Sequence, residues 1–165
     1  MAVANVKRPE VVRYGGAIEQ RFTYLDAATI VMGDLIRIST SGTVEVAAAS
    51  LPGAVHGMAL EAGTTGGDDI AVLLFADDTV ISMSAIDAVA PTTLKKSVAY
   101  TLELGTNEFG VTATDTNGVA IIVDYADTGN PWSDTTGTYP QDSTAVGGTV
   151  LVRFGAATLD GSVAA

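Results

Sequence analysis

Short apolar segments separated by Gly, Asp and Ser occupy the chain from residue 22 onward. Gly33-Asp34 and Ser41-Gly42 enclose residues 35–40, and residues 43–47 continue as the second half of a tight hairpin. Strands at this regular spacing predict an all-β fold, either a small β-barrel or a β-sandwich. The same pattern predicts further strands at residues 54–60, 70–76, 79–84, 97–104, 111–114, 119–125 and 149–154.

Two stretches depart from this pattern. Residues 1–21 follow neither a strand period nor a helix period and contain Pro9 and Gly15-Gly16, so they predict an extended N-terminal arm. A long polar loop, rich in Asp, Thr and Gly, precedes the last strand and predicts a functional or contact loop. The chain therefore divides into an arm (1–21), a small β-barrel segment (22–90) and a second β segment packed with the first, ending in a small-residue tail (91–165).

Composition strengthens the all-β prediction. The 165 residues include 21 Thr, 19 Val and 9 Ile, whose β-branched side chains fit a pleated surface better than a helix. A chain of this length forms one domain, or two small ones that share an interface. The sequence shows neither a secretory signal nor the run of about 20 apolar residues that a membrane-spanning helix needs. We therefore expect a soluble protein.

The charge distribution narrows the range of partners. The net charge is −11, which argues against nucleic acid and against anionic membranes, because both require clustered Lys and Arg. Residues 1–21 are different, since they carry four basic and two acidic residues, whereas the rest of the chain carries four basic and seventeen acidic residues. The arm is therefore mildly basic on an otherwise acidic protein.

The chemistry available to the chain is limited. There is no Cys, and His56 is the one histidine, in a strand context without a nucleophile elbow. The pairs Asp68-Asp69 and Asp77-Asp78 resemble glycosidase carboxylates or calcium ligands, but Asp at strand ends is favoured as a turn residue. Asp115 to Gly118 and the glycine-rich residues 62–69 are also turn sequences. We expect no catalytic residue, no cofactor and no metal.

Two groups of residues are candidates for contact. The first group is the apolar and basic residues of the arm. They either form an edge strand of their own domain or cross to a neighbouring subunit or partner. These residues are Val3, Val6, Lys7, Arg8, Val11, Val12, Arg13 and Tyr14. In the long loop, Trp132 and Tyr139 are candidates for an interface or for loop packing, with a sugar-stacking platform as the alternative.

One run of sequence resembles a known family. Residues 33–75, GDLIRISTSGTVEVAAASLPGAVHGMALEAGTTGGDDIAVLLF, resemble the capsid decoration (cement) proteins of tailed bacteriophages in their order of strands and turns. The ending TVLVRFGAATLDG, residues 149–161, is similar to the closing strand and tail of some of these proteins. The likeness is a pattern of strands and turns rather than a catalytic motif.

The resemblance implies a structural protein and not an enzyme. Proteins of this family assemble, commonly as homotrimers, on the outer face of the lattice of the major capsid protein and stabilise the expanded head. Its members often grip capsid subunits with an N-terminal arm, a role that residues 1–21 fit by charge and position. The implied location is the outer surface of the virion, after synthesis in the host bacterial cytoplasm.

Two other functions stay open. The first is a carbohydrate-binding or fibre β-module of a phage or bacterial surface, which would use Trp132 and Tyr139. The second is a small β-barrel hydrolase with His56 as its base.

Overall fold

Every element with defined bounds in the described part of the chain is a β-strand. The computed structural model describes residues 9–23, 30–47, 55–63, 69–85, 94–104, 109–115, 118–125, 149–155 and 159. The prediction of an all-β chain is therefore confirmed. In chain order the strands are β1 (Glu10–Arg13), β2 (Ile18–Thr23), β3 (Leu35–Ile38), β4 (Val44–Val46), β5 (Gly57–Ala59), β6 (Asp69–Leu74), β7 (Val80–Ala85), β8 (Ala99–Tyr100), β9 (Leu102–Leu104), β10 (Phe109–Val111), β11 (Ala120–Tyr125) and β12 (Thr149–Phe154).

The strands form two sheets. Sheet A has seven strands, in the order β8-β11-β12-β7-β10-β9, with β1 also paired to β7. Sheet B has five strands, in the order β2-β6-β5-β3-β4. All pairings are antiparallel except that of β10 with β7. Neither sheet closes on itself through the described strands, so the fold is sandwich-like rather than a closed barrel.

The main core lies between the two sheets. Alternate residues of β7 and β12 point into it, and Ile81, Met83 and Val150 are almost completely buried there. Phe75, directly after β6, stacks on Phe154 at the end of β12 with ring centroids 5.8 Å apart. This aromatic pair joins the two sheets directly.

Sheet B also buries its other face. Leu35 points into the core between the sheets, whereas its neighbour Ile36 points into a second, outer cluster. Because both faces of β6 are covered, that strand reads as a continuous apolar run rather than as an alternating one. The outer cluster comprises Ile30, Ile36, Val44, Ala59, Ile70 and Val72, with Phe22, Ile38, Val46 and Leu74 partly buried against it.

The predicted hairpin between β3 and β4 is present. Ser39 N–H donates to the carbonyl of Thr43 at 2.8 Å, and Gly42 N–H donates to the carbonyl of Ser39 at 3.0 Å. Gly42 has φ +82°, a conformation that glycine adopts without strain. The last strand, β12, has the predicted bounds, and residues 126–148 of the predicted long loop lie outside the described residues.

The three predicted segments share their sheets. Strand β1, from the predicted arm, joins sheet A, while β2 begins in the arm and joins sheet B. Strand β7 belongs to the predicted segment 22–90, yet it lies in sheet A between β12 and β10. The boundaries at residues 21 and 90 thus mark changes in sequence pattern, and strands on both sides of each boundary occupy the same sheet.

Candidate contact surface

The described part of the arm is joined to both sheets. Strand β1 pairs with β7, and β2 pairs with β6 along all six of its residues. Residues 10–13 and 18–23 therefore form strands of their own domain, which is one of the two interpretations of the arm. The role of the arm's exposed side chains in binding a partner stays a prediction.

Four of the eight predicted arm residues lie in this described part. Val11 is half-buried and packs against the core between the sheets, whereas Val12 occupies a bulge in the β1–β7 pairing and is 52% exposed. Arg13 is exposed, and the side chain of Tyr14 is 61% exposed. The other four lie outside the described residues, and they are Val3, Val6, Lys7 and Arg8.

A tight turn carries the chain from sheet A to sheet B. Ala17 N–H donates to the carbonyl of Tyr14 at 2.9 Å, which closes the turn. Gly15 within it has φ +55°, a left-handed conformation that side chains disfavour. A Cβ atom on Gly15 would lie 2.3 Å from the Oδ1 atom of Asp78. The conformation at this position therefore favours glycine, and any side chain would also have to displace the Asp78 carboxylate.

The turn between β6 and β7 holds this crossing in place. The Asp78 carboxylate accepts a hydrogen bond from Gly16 N–H at 2.8 Å, and the carbonyl of Asp78 accepts one from Arg13 Nε at 3.2 Å. The buried hydroxyl of Thr79 donates to the carbonyl of Tyr14 at 2.8 Å. These bonds fix the backbone around Tyr14, which lowers the backbone entropy that this segment would lose on binding a partner.

Strand β2 is exposed along most of its length. Five of its six side chains are exposed, and Ile18 is 58% exposed. Phe22 is the half-buried member and packs against the outer cluster of sheet B. Among the described strands β2 pairs only with β6, so it forms an end of sheet B as described.

Arg21 anchors the second half of β2 to its own sheet. One terminal nitrogen lies 3.3 Å from the Oε1 atom of Glu61, and the other donates to the carbonyl of Asp69 at 2.8 Å. Glu61 also accepts a hydrogen bond from Ala71 N–H at 3.2 Å. The hydrogen bond from Arg21, followed by that from Ala71, lowers the pKa of Glu61 below its ordinary value.

His56 lies beside an open cleft of about 370 Å³. Its Nδ1 atom accepts a hydrogen bond from Ile38 N–H at 2.9 Å, which ties the imidazole to strand β3. The imidazole therefore supports the sheet as a hydrogen-bond acceptor. The other residues that line the cleft are Ile38, Leu74, Phe75, Ala76, Asp77 and Leu159.

The acidic pairs lie at strand ends. Asp69 is the first residue of β6, and its carboxylate accepts a hydrogen bond from the Thr23 hydroxyl at 3.1 Å. Asp77 and Asp78 form the turn that joins β6 to β7. Asp68 lies outside the described residues, and no group of three or more His, Cys, Asp or Glu in the described part of the chain could hold a metal ion.

The two aromatic residues of the predicted contact loop, Trp132 and Tyr139, lie outside the described residues. Their role in an interface, or in stacking on a sugar, stays a prediction.

Sequence reasoning missed an exposed apolar turn after Ile30. Met32 is 63% exposed and Val31 is 39% exposed. Asp34 holds the turn from both sides, because its N–H donates to the carbonyl of Val31 at 3.0 Å and its carboxylate accepts from Val31 N–H at 2.8 Å. The one local signal was Gly33-Asp34, which marks the turn without indicating that the residues before it face solvent.

The comparisons with known proteins add no family. No protein-family model matches the chain, and no curated protein sequence matches it. Within the described residues, no helix is long and apolar enough to span a membrane.

Proposed function

We propose that this chain is a head decoration protein of a tailed bacteriophage, which binds the outer surface of the major capsid protein lattice and stabilises the expanded head. The observation that carries the proposal is the resemblance of residues 33–75 to capsid decoration proteins. Those residues contain strands β3 to β6, which are four of the five strands of sheet B. The resemblance therefore runs through consecutive strands of one sheet rather than through scattered positions.

The described arm supports this proposal physically. Val12 and Tyr14 are more than half exposed, and the turn that follows them is hydrogen-bonded to Asp78 and Thr79. Aromatic and apolar side chains that stand exposed on an ordered backbone are typical anchors of protein interfaces. The arm surface, by which we mean Val12 and Tyr14, is the proposed capsid contact within the described residues.

The proposal assigns binding to the chain, and no reaction. A decoration protein acts by contributing binding free energy across several capsid subunits at once. A homotrimer multiplies modest contacts through effective concentration, so we propose threefold assembly on the lattice. The net charge of −11 fits a partner that is protein rather than nucleic acid. The proposed location is the outer surface of the virion.

Co-sedimentation with undecorated, expanded capsids tests the proposal. We expect saturable binding of the unmodified chain, and a loss of affinity of about 30-fold when Val12 and Tyr14 are both replaced by Ala, as for two anchors worth about 2 kcal/mol together. Met32→Ala is the matched control, because Met32 is 63% exposed and lies on a different turn. Glycan-dependent change in tryptophan fluorescence, without capsid binding, would instead favour the carbohydrate-binding module.

A further inference from the structure

Strand β2 is an unusually open sheet edge. Among the described strands that end a sheet, β4 has three residues, β8 two and β9 three, while the four-residue β1 is interrupted by a bulge. Strand β2 has six residues in regular register with β6 and contains neither Pro nor Lys. Edge strands usually avoid pairing with other chains by shortness, bulges, Pro or charged side chains. Of these, β2 has only the charges of Glu19 and Arg21, which are of opposite sign.

We propose that β2 pairs antiparallel with β2 of a second copy of this chain, across a twofold axis, so that sheet B continues through both subunits. The axis of such a pair stands perpendicular to the sheet, and residues opposite one another must share a face. The axis therefore passes beside one residue of β2, which lies opposite its own equivalent.

Among the registers centred on the middle of β2, which pair the most residues, the charges favour one. An axis at Glu19 would place two carboxylates opposite one another, and an axis at Arg21 would place two guanidinium groups opposite one another. Like charges directly opposite are destabilising, so both registers are disfavoured. An axis at Gln20 places Glu19 opposite Arg21 of the partner subunit, and symmetry repeats this pair of opposite charges.

The apolar residues of β2 fit the same register. With the axis at Gln20, Ile18 lies opposite Phe22 of the partner subunit, and the twofold symmetry repeats this apolar pair. Ile18 is 58% exposed in the single chain, and Phe22 is the residue of β2 that packs against the outer cluster. The pairing would thus cover the exposed Ile18 and extend the apolar outer face of sheet B across the axis.

Arg21 is held on the β6 side of its strand, so a contact with the partner subunit would use its remaining donors. Its bonds to Glu61 and to the carbonyl of Asp69 use the two terminal nitrogens and hold the guanidinium group beside the strand. A guanidinium group has five N–H donors, so Arg21 can also donate to Glu19 of the partner subunit while it keeps both bonds within its own chain.

The proposed pairing does not depend on capsid binding. A threefold assembly through another surface would be compatible with it.

A unique thiol tests the pairing. The chain has no Cys, so Gln20→Cys introduces a single thiol that faces its own equivalent across the axis. Opposed residues in an antiparallel pair have Cα atoms about 4.5–5.5 Å apart, within the range of a disulfide. In Ile18→Cys the two thiols would be offset by four residues, or about 13 Å along the strands, which is too far. Met32→Cys controls for random collision at an exposed position.

We expect Gln20→Cys to form a covalent two-chain species at least about tenfold faster than either control under mild oxidation, with two chains joined on a non-reducing gel. Equal rates for all three variants would overturn the proposal. Because the cross-link joins two chains whether or not capsids are bound, its failure is separate from any failure of capsid binding.

Charge reversal gives a second test that requires no cross-link. In the Glu19→Arg variant, a positive charge at position 19 lies opposite Arg21 of the partner subunit. In the Arg21→Glu variant, a negative charge at position 21 lies opposite Glu19 of the partner subunit. We expect each variant alone to raise the dimer dissociation constant by about tenfold, because each change acts twice. An equal mixture of the two variants restores opposite charges at both contacts and should recover mixed dimers in sedimentation velocity. Arg21→Glu also removes the bonds of Arg21 to Glu61 and to the carbonyl of Asp69, so circular dichroism first checks that this variant is folded. Failure of the folded variants to associate better as a mixture than separately would contradict the register.

Discussion

Gly15→Ala is the most informative change for the crossing between the sheets. At φ +55° an alanine would be strained, and its Cβ would overlap the Asp78 carboxylate that accepts the hydrogen bond from Gly16 N–H. Gly42→Ala is a matched control, because Gly42 has φ +82° and open space around the position of its Cβ. The control isolates the backbone strain from the contact with Asp78.

The magnitudes follow from these two contributions. A left-handed conformation costs alanine about 1–2 kcal/mol, and the reduced entropy of the unfolded chain returns about 0.4–1 kcal/mol. We therefore expect Gly42→Ala to lower the free energy of unfolding by about 1 kcal/mol. At Gly15, displacement of Asp78 also removes an exposed hydrogen bond worth about 1 kcal/mol, so the expected loss is about 2 kcal/mol or more.

Urea unfolding followed by circular dichroism measures these differences, and a double-mutant cycle with Asp78→Ala separates them. Asp78→Ala removes both the hydrogen bond and the overlap, so Gly15→Ala should cost less in that background than in the natural chain. Equal losses for Gly15→Ala and Gly42→Ala, together with an additive cycle, would refute the role of Asp78 in holding the crossing.

Three further predictions concern stability. The folded state lowers the pKa of Glu61, so its contribution to stability is present above its unfolded pKa of about 4.5 and is lost as the pH falls through the lower folded pKa. Glu61→Gln should therefore flatten the decline in the free energy of unfolding on the acid side of about pH 5 in urea titrations. Tyr100→Phe should cost about 1 kcal/mol by the same assay, because the buried hydroxyl accepts a hydrogen bond from Lys95 N–H at 2.8 Å. A chelator should leave the melting temperature unchanged in differential scanning calorimetry. The reason is that the carboxylates of Asp69 and Asp78 already accept hydrogen bonds within the domain. A large decrease in the melting temperature would indicate a bound metal ion.

The hairpin of β3 and β4 was predictable because its signals are local. Gly42 supplies the turn conformation, and apolar and polar residues alternate on either side of it. Strands β1 and β2 were predicted only as an extended arm. Their partners β7 and β6 lie far along the chain, and β2 shows no apolar alternation because most of both its faces is exposed.

The candidate surface was predictable only in part. The pattern singled out Val12 and Tyr14 because apolar residues in an irregular segment need something to cover them. It did not single out Met32 or Ile18, because an exposed apolar residue in a strand or beside one looks the same in sequence as a buried one. Exposure depends on which distant segments pack over a position, and that information is absent from local sequence.

The bonds that join the crossing to Asp78 and Thr79 also restrict how the arm is tested. Removal of residues 1–16 would delete β1 from sheet A together with the turn, so loss of binding by that truncation would not distinguish a damaged fold from a lost contact. Removal of residues 1–8 keeps β1 and the arm surface while it deletes Lys7 and Arg8. This shorter truncation, with circular dichroism as a check of folding, measures the contribution of the basic end of the arm to capsid binding.

The proposed location is tested most directly by imaging the virion. If a tailed bacteriophage encodes this chain, as we propose, electron cryomicroscopy of its heads with the gene intact and with it deleted should reveal the protein. We expect an additional two-sheet density on the outer face of the capsid lattice, at threefold or quasi-threefold positions, only when the gene is intact. Heads that lack the protein should also rupture at lower temperature. Identical maps of the two heads, with the protein absent from purified virions, would contradict the account.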